Sequence, residues 1–340
     1  MVNGVTTKVQ PYAAQFPDFG AINHVSNGAH SNYNSLQATL TERVTHGLSF
    51  TAGYTYSHAL DNGSLSRFGG LPQNQYDPLA EYASGDLDVR NRFTLSGSYA
   101  LPGKKGFAQM LEGWKINSVV SLQSGLPWLP IDTSNNFSQS FPHGGEQTDR
   151  WDFFGNPGDF TSGSSSLPYC TGTAAGVTGC SQTSGISGTT SQFSGAQSAS
   201  MWNECLAHAA DASAGGTLEQ GGCFVSGNSV MTPPALHHFG SMGRNIFRDS
   251  GFKNWDFSVF KDFRFTERFG AQFRFEVFNV LNHPIISNPY GGVVGYNGGS
   301  DPSIPTTFGC GCATPDVANG NALVGSGGPR VMQLGLKLNF

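Results

Sequence analysis

NWDFSVFKDFRFTERFGAQFRFEVFNVL, residues 254–281, decides the fold. Trp255, Phe257, Val259, Phe263 and Phe265 fall on one parity, and Asp256, Ser258, Asp262 and Arg264 on the other. After a break at 266–268, Phe273, Phe275 and Val277 again oppose Gln272, Arg274 and Glu276. A period of two places alternate side chains on opposite faces of an extended chain, whereas a helix would repeat every 3.6 residues. Two such segments separated by a tight turn predict an antiparallel hairpin with one apolar and one polar face.

Working outward, the same parity test finds five more strands. Leu48, Phe50, Ala52, Tyr54 and Tyr56 oppose Ser49, Thr51, Gly53, Thr55 and Ser57, and Leu36, Ala38 and Leu40 oppose Gln37, Thr39, Thr41 and Arg43. Phe93, Leu95, Gly97, Tyr99 and Leu101 alternate with Arg92, Thr94, Ser96 and Ser98, and Trp114, Ile116, Val120 and Leu122 with Lys115, Asn117, Ser121 and Gln123. The chain closes on Met332, Leu334, Leu336, Leu338 and Phe340 against Gln333, Lys337 and Asn339. The strands lie near 33–43, 48–57, 91–101, 114–124, 254–265, 270–281 and 330–340. Each is about ten residues long, the length a tilted strand needs to cross a bilayer.

The connections alternate in length. Those at 45–47, 102–113 and 266–268 are short; those at 58–90, 125–252 and 283–329 are long, with 1–32 as a partial fourth. Outer-membrane barrels have short periplasmic turns and long external loops. The expectation is an all-β antiparallel meander of about seven transmembrane strands, forming part of a larger outer-membrane β-barrel, residues 1–340 being a partial barrel domain. A soluble β-sandwich, which also alternates, is the competing reading. Against it stand a polar face rich in Ser, Thr, Asn and Arg, as a wet lumen requires, and aromatics near strand ends, as interfacial belts require. Candidate lipid-facing residues are Phe50, Tyr54, Phe93, Trp114, Trp255, Phe273, Phe275 and Phe340. Candidate lumen-facing charges are Arg92, Lys115, Asp256, Asp262, Arg274 and Glu276. These either line a solute path or pair across strands to satisfy a wet interior.

Composition agrees. Charged residues make up 12% of the chain against about a quarter in ordinary domains, while aromatics reach 12%, with 26 Phe and 46 Gly. A net charge of −5 with 18 Lys and Arg offers no basic field for nucleic acid. No apolar run is long enough for a transmembrane helix, which leaves a strand-built span open. The first residues lack a signal peptide's charged and apolar regions, so an exported protein would begin upstream. The six Cys all fall in Gly/Ser/Thr-rich stretches outside the strands, which favours disulfides in an oxidising compartment. Cys170 with Cys180 and Cys205 with Cys223 make plausible loops. Cys310 and Cys312 are expected to be too close for an easy mutual bridge. The 125–252 connection is too long for a simple turn and is expected to be functional, partly disordered, or both. A short helix is expected at 196–212, where Trp202, Leu206 and Ala209 recur at helical spacing.

Catalytic signatures are absent: there is no G-x-S-x-G, H-E-x-x-H, P-loop or dinucleotide-binding glycine pattern. His58 with Asp61, or the pair His237 and His238, would suit a rim-built hydrolytic site, but an exposed loop histidine is the simpler reading. Cys310 and Cys312 with those histidines match no standard zinc spacing. Asn282, His283 and Pro284 stand where a strand ends, and the proline there stops the ladder. No enzyme, cofactor or metal is expected.

Four runs carry a family resemblance: SNYNSLQATLTERVTHGLSFTAGYTYSHALDN (31–62), DVRNRFTLSGSYALPG (88–103), GWKINSVVSLQSGLPW (113–128) and GRNIFRDSGFKNWDFSVFKDFRFTERFGAQFRFEVFNVLNHPIISNP (243–289). Together they resemble the end of the barrel domain of Oar-like TonB-dependent receptors. The last run is the most specific. What the resemblance implies is a larger parent, with an N-terminal immunoglobulin-like or carboxypeptidase-regulatory-like domain, a plug, and a barrel of about 22 strands. Its partners would be outer-membrane lipid and a TonB-type energy-coupling protein, and its work energy-coupled solute uptake. This chain departs from the pattern in lacking the plug and the N-terminal barrel strands. Seven strands do not close a bacterial single-chain barrel, which points to a fragment. A surface-structural or adhesion protein, its barrel only anchoring external loops, is the alternative.

Overall fold

The structure is a computed structural model that describes residues 15–16, 18, 27–64, 72–74, 77–104, 106, 109–132, 137, 149–185, 187–289, 299–312 and 327–340. The expected 1–32 loop falls mostly outside these residues. In chain order the elements are β1 (Ser31–Thr45), β2 (Leu48–Asp61), β3 (Ala83–Ser84), β4 (Asn91–Ala100), β5 (Trp114–Gln123), β6 (Pro127–Trp128), β7 (Asp152–Phe154), β8 (Tyr169–Thr173), β9 (Gly176–Thr183) and β10 (Thr190–Gln192). Then come α1 (Gly195–His208), α2 (Thr217–Gly221), β11 (Cys223–Ser226), β12 (Ser229–Thr232), β13 (Phe247–Arg248), β14 (Phe252–Arg264), β15 (Gly270–Phe278) and β16 (Val331–Asn339). No helix among the described residues is long and apolar enough to cross a membrane.

Seven long strands form one antiparallel meander in the order β1-β2-β4-β5-β14-β15-β16, with β3 added beside β2. The register aligns the parities seen in the sequence. One row across six strands reads Leu48, Tyr99, Ile116, Val259, Phe275 and Leu334. The adjacent row reads Ser49, Ser98, Asn117, Ser258, Glu276 and Gln333. A slip of one residue in any ladder would turn apolar side chains onto the polar face, so burial of the apolar face excludes every odd slip, and the tight turns choose among the even ones. The tight β1–β2 turn places His46 and Gly47 at φ 51° and 83°, the left-handed pair that a two-residue hairpin needs. A Cβ at Gly47 would stand 2.5 Å from the Ala100 carbonyl oxygen.

β1 and β16 are the edges of this sheet. Their apolar side chains are open: Leu36 is 67% exposed, Leu334 70% and Leu336 69%.

The long connections are the part that the period-two pattern left unread. Wall strands β5 and β14 continue past the sheet as the short pair β6 and β13, with Trp128 opposite Phe247. Above them a second sheet runs β10-β9-β8-β11-β12-β7, with α1 packed against it. Its core holds Trp128, Trp151, Phe160, Phe224 and Phe247, and Phe308 from the following long loop enters it, with its ring centroid 4.4 Å from that of Phe224. Two loops of different hairpins thus fold as one body, which we call the cap. Each buried aromatic removes on the order of 150–250 Å² from water, so a core this rich offsets the ordering of a Gly/Ser/Thr-rich chain.

Cysteines reinforce it. Cys170 pairs with Cys180 and Cys205 with Cys223. Contrary to the expectation that no cysteine lies in a strand, Cys170, Cys180 and Cys223 stand in β8, β9 and β11, and Cys205 in α1. Their flanks are too polar to show a strand period, because the second sheet is stabilised by the aromatic core and the bridges. Cys310 and Cys312 are also joined. This corrects the expectation of no mutual bridge: with Cys312 at φ 54° the chain folds back, and the Cα atoms stand 5.0 Å apart, within the range a disulfide accepts. The expected helix over 196–212 is α1, which opens on a capping box between Ser194 and Gln197 and ends at His208.

Candidate functional site

The polar face gathers most of the charges singled out in the sequence. Lys115 Nζ lies 3.7 Å from Asp262 Oδ2, Asp262 Oδ1 accepts from Gln272 Nε2 at 2.8 Å, and Gln272 Oε1 accepts from Arg274 Nε at 2.6 Å. One polar chain therefore ties β5, β14 and β15. The Arg274 guanidinium sits 5.3 Å from the centroid of Phe260, an aromatic on this face. Asp256 accepts from the Asn279 backbone N–H at 2.9 Å and from Asn254 Nδ2 at 3.0 Å, closing the outer end of β14. Arg92 stands in register between Thr55 and Gln123, and Glu276 between Ser258 and Gln333, so neither joins the Lys115–Arg274 chain. Lys115 is half exposed, and a pair so solvated contributes little to stability.

A tighter cluster holds the long-loop end. Arg244, whose side chain is fully buried, donates to Asp61 Oδ1 at 2.8 Å, Ser64 Oγ at 2.7 Å and the Glu81 carbonyl at 2.8 Å. Next to it Asn245 Nδ2 donates to the Ser84 carbonyl and to Asp86 Oδ1, both at 2.8 Å. Arg248 donates to the Asp88 carboxylate and carbonyl and to the Gly125 carbonyl. Arg90 Nε adds a bond to Asp88 at 2.8 Å. On the cap side Arg150 pairs with Glu81, whose Oε1 also accepts from the Gln73 backbone N–H. Burial alone would raise the Asp88 carboxyl, but bonds from the Ala59 N–H, Arg248 and His58 outweigh it and hold it at about 2. Burial pushes the Arg150 guanidinium below its ordinary value, against the pull of Glu81.

This cluster shows on which side the cap sits. At the outer end of the sheet, polar-face residues are covered: Ser57 is 6% exposed and Asn254 8%. Their apolar-face neighbours Tyr54 and Tyr56 remain 40% and 49% exposed. The loops lean over the polar face and leave the apolar face free.

Residues 2–314 match the model of a family described as an outer membrane beta barrel domain. The chain belongs to this outer-membrane β-barrel family. Comparison with curated proteins and with solved structures gave no match. As a member of the family, the protein is placed in the bacterial outer membrane, and its all-β meander is a barrel wall.

On the apolar face of this barrel wall stand Phe50, Tyr54, Phe93, Trp114, Trp255, Phe273 and Phe275, with Phe340 following the same parity at the end of β16. Lys261 shares that face, opposite Phe273 and Trp114. Its ammonium donates to the carbonyls of Gln109 and Glu112 on the β4–β5 turn and lies 4.5 Å from the Phe263 ring centroid. A charge on a greasy face is tolerable only when its donors are satisfied in this way. In the sequence it shows as a break in the alternation between Val259 and Phe263.

The imagined hydrolytic and metal sites do not assemble. His58 faces Asp88 at 3.4 Å, while Asp61 is engaged by Arg244. His237 and His238 are exposed loop residues. Cys310 and Cys312 bind each other, which removes both thiolates as ligands. Asn282 accepts from the Arg330 backbone N–H at 3.0 Å, and the His283 backbone N–H donates to Asn279 Oδ1 at 3.1 Å, a splice between the β15 end and the β16 start. Among the described residues no group of three or more His, Cys, Asp or Glu is placed to hold a metal ion. The residues that sequence reasoning missed are Arg150, Arg244 and Arg248. A charge count would have found them, since they are the only Lys or Arg between 126 and 251.

Proposed function

We propose that this chain forms part of the wall of an energy-coupled outer-membrane importer of the TonB-dependent kind. In this reading the apolar face meets lipid and the polar face lines the lumen. The observation that carries it is the lean of the cap: Arg150, Arg244 and Arg248 fix the 125–252 loop to the 58–90 loop over the polar face, where a solute entering from outside would first be met. The edges β1 and β16 belong against further strands, because unpaired backbone is costly in hydrocarbon. Those strands, a plug and a TonB-type coupling protein are the partners of the reading. No reaction is assigned to the protein. The solute path includes the Lys115, Asp262 and Arg274 chain.

A second reading, a surface-structural or adhesion protein anchored by its barrel, draws support from the cap itself. A co-folded, disulfide-braced body with its own aromatic core suits a role at the cell surface. Uptake separates the two. Cells carrying the full-length protein are grown on a scarce nutrient with and without an energised inner membrane. Growth that needs both the protein and the energised state supports import; growth indifferent to both removes it and leaves the anchor reading.

A further inference from the structure

The apolar face is not evenly filled. Between Phe50, Leu95, Tyr99 and Ile116 it opens into a groove of about 380 Å³, because Gly97 and Ser118 occupy the centre of the patch. In register, Gly97 lies between Phe50 on β2 and Ser118 on β5, and the row below is Leu48, Tyr99 and Ile116. The groove therefore runs along the strands, a few residues from the short turns that face the periplasm. Its walls are apolar; β4 ends one residue after Tyr99, and Lys104 lies exposed on the turn that follows, one residue past Gly103, which packs against Glu112. The acid nearest in the row, Glu42, is bonded to the Thr45 hydroxyl.

We propose that this groove binds one phospholipid of the periplasm-facing leaflet, with an acyl chain along Gly97 and the phosphate at Lys104. The inference rests on the lipid-facing assignment of the apolar face made above. A flat greasy wall is wetted by lipid without preference. A depression floored by Gly97 and Ser118 and rimmed by Phe50, Leu95, Tyr99 and Ile116 holds a chain by contact along its length, and a cation on the turn that follows β4 would add an attraction specific to the anionic end. Filling the groove is sterically mild: a Cβ at Gly97 would meet the Phe50 Cβ at 3.4 Å and the Ser49 carbonyl oxygen at 3.7 Å, both ordinary contacts.

Native mass spectrometry of the full chain in mild detergent, with palmitoyl-oleoyl phosphatidylglycerol added, tests this. The expected result is a single lipid adduct that weakens in Gly97→Ala and falls about tenfold in Gly97→Leu, the equivalent of about two methylene groups leaving the groove. Lys104→Glu, or the matching diacylglycerol without phosphate, should lose several-fold, and inorganic phosphate alone should add no mass. Heat-modifiable migration on a gel confirms that each variant has folded. Wild-type adduct levels in folded Gly97→Leu overturn the groove, and equal binding of diacylglycerol and phosphatidylglycerol overturns the phosphate contact. Failure of the underlying lipid-facing assignment shows differently, as normal membrane assembly of Phe275→Arg.

Discussion

Replacing Arg244 with Met should detach the cap from the wall without unfolding either. The guanidinium is fully buried and makes the contacts to Asp61, Ser64 and the Glu81 carbonyl that no other cation replaces. Breaking one side of a buried ion pair costs about 3–5 kcal/mol, because the remaining charge is left uncompensated. Asp61 keeps its bonds from the Gly63 and Ser64 backbone N–H groups, at 3.1 and 2.8 Å, and its side chain is 16% exposed. These soften the penalty, which places the loss near the low end, about 3 kcal/mol. Trp128, Trp151 and Trp202 are buried in the cap, so tryptophan fluorescence during a urea titration in detergent reports its release. The wall is followed separately by heat-modifiable migration. Adding Asp61→Asn should recover a large part of the loss, since it removes the stranded charge. A shift under about 1 kcal/mol, or a double variant no better than the single, would refute the idea that this pair holds the cap.

Three further outcomes are expected. Phe50→Arg or Phe275→Arg should impair membrane assembly by roughly 2–4 kcal/mol, and Thr51→Arg much less; equal tolerance of all three on a heat-modifiability gel would count against a lipid-facing surface. Asp88, held at about 2 against an ordinary 3.8, contributes about 2 kcal/mol that is fully present above pH 4 and is lost as pH falls through the folded value. Acid titration of cap fluorescence should therefore lose stability between about pH 4 and 2, and Asp88→Asn should flatten that slope in part, the rest belonging to Asp61, which bonds from Ser64 and Arg244 also hold low against its burial. Cys205→Ser should lower cap stability by about 2–4 kcal/mol, the constraint of an 18-residue separation being removed, and an unchanged urea midpoint under reducing and oxidising conditions would contradict this.

Read alone, the sequence determined the wall. Alternation such as that from Leu48 to Ser57 is a local property, and because the strand period is two, each segment announces which side chains share a face. The same pattern excludes slips of one residue, which would turn apolar side chains onto the polar face, but a slip of two keeps every face, and the row of Leu48, Tyr99, Ile116, Val259, Phe275 and Leu334 was fixed by the folded sheet. The cap was settled only by tertiary structure. Its strands are three to eight residues long and lie in Gly/Ser/Thr-rich chain, and their stability comes from Trp128, Trp151, Phe224 and Phe308 meeting across more than a hundred residues of sequence. The Cys310–Cys312 bridge likewise depends on a left-handed residue that spacing does not reveal. The arginine cluster is non-local in the same sense: Arg244 and Asp61 are 183 residues apart, and only the folded chain makes one the partner of the other. Periodicity is written along the backbone, whereas long-range pairing is decided by which surfaces remain to be buried once the strands have formed.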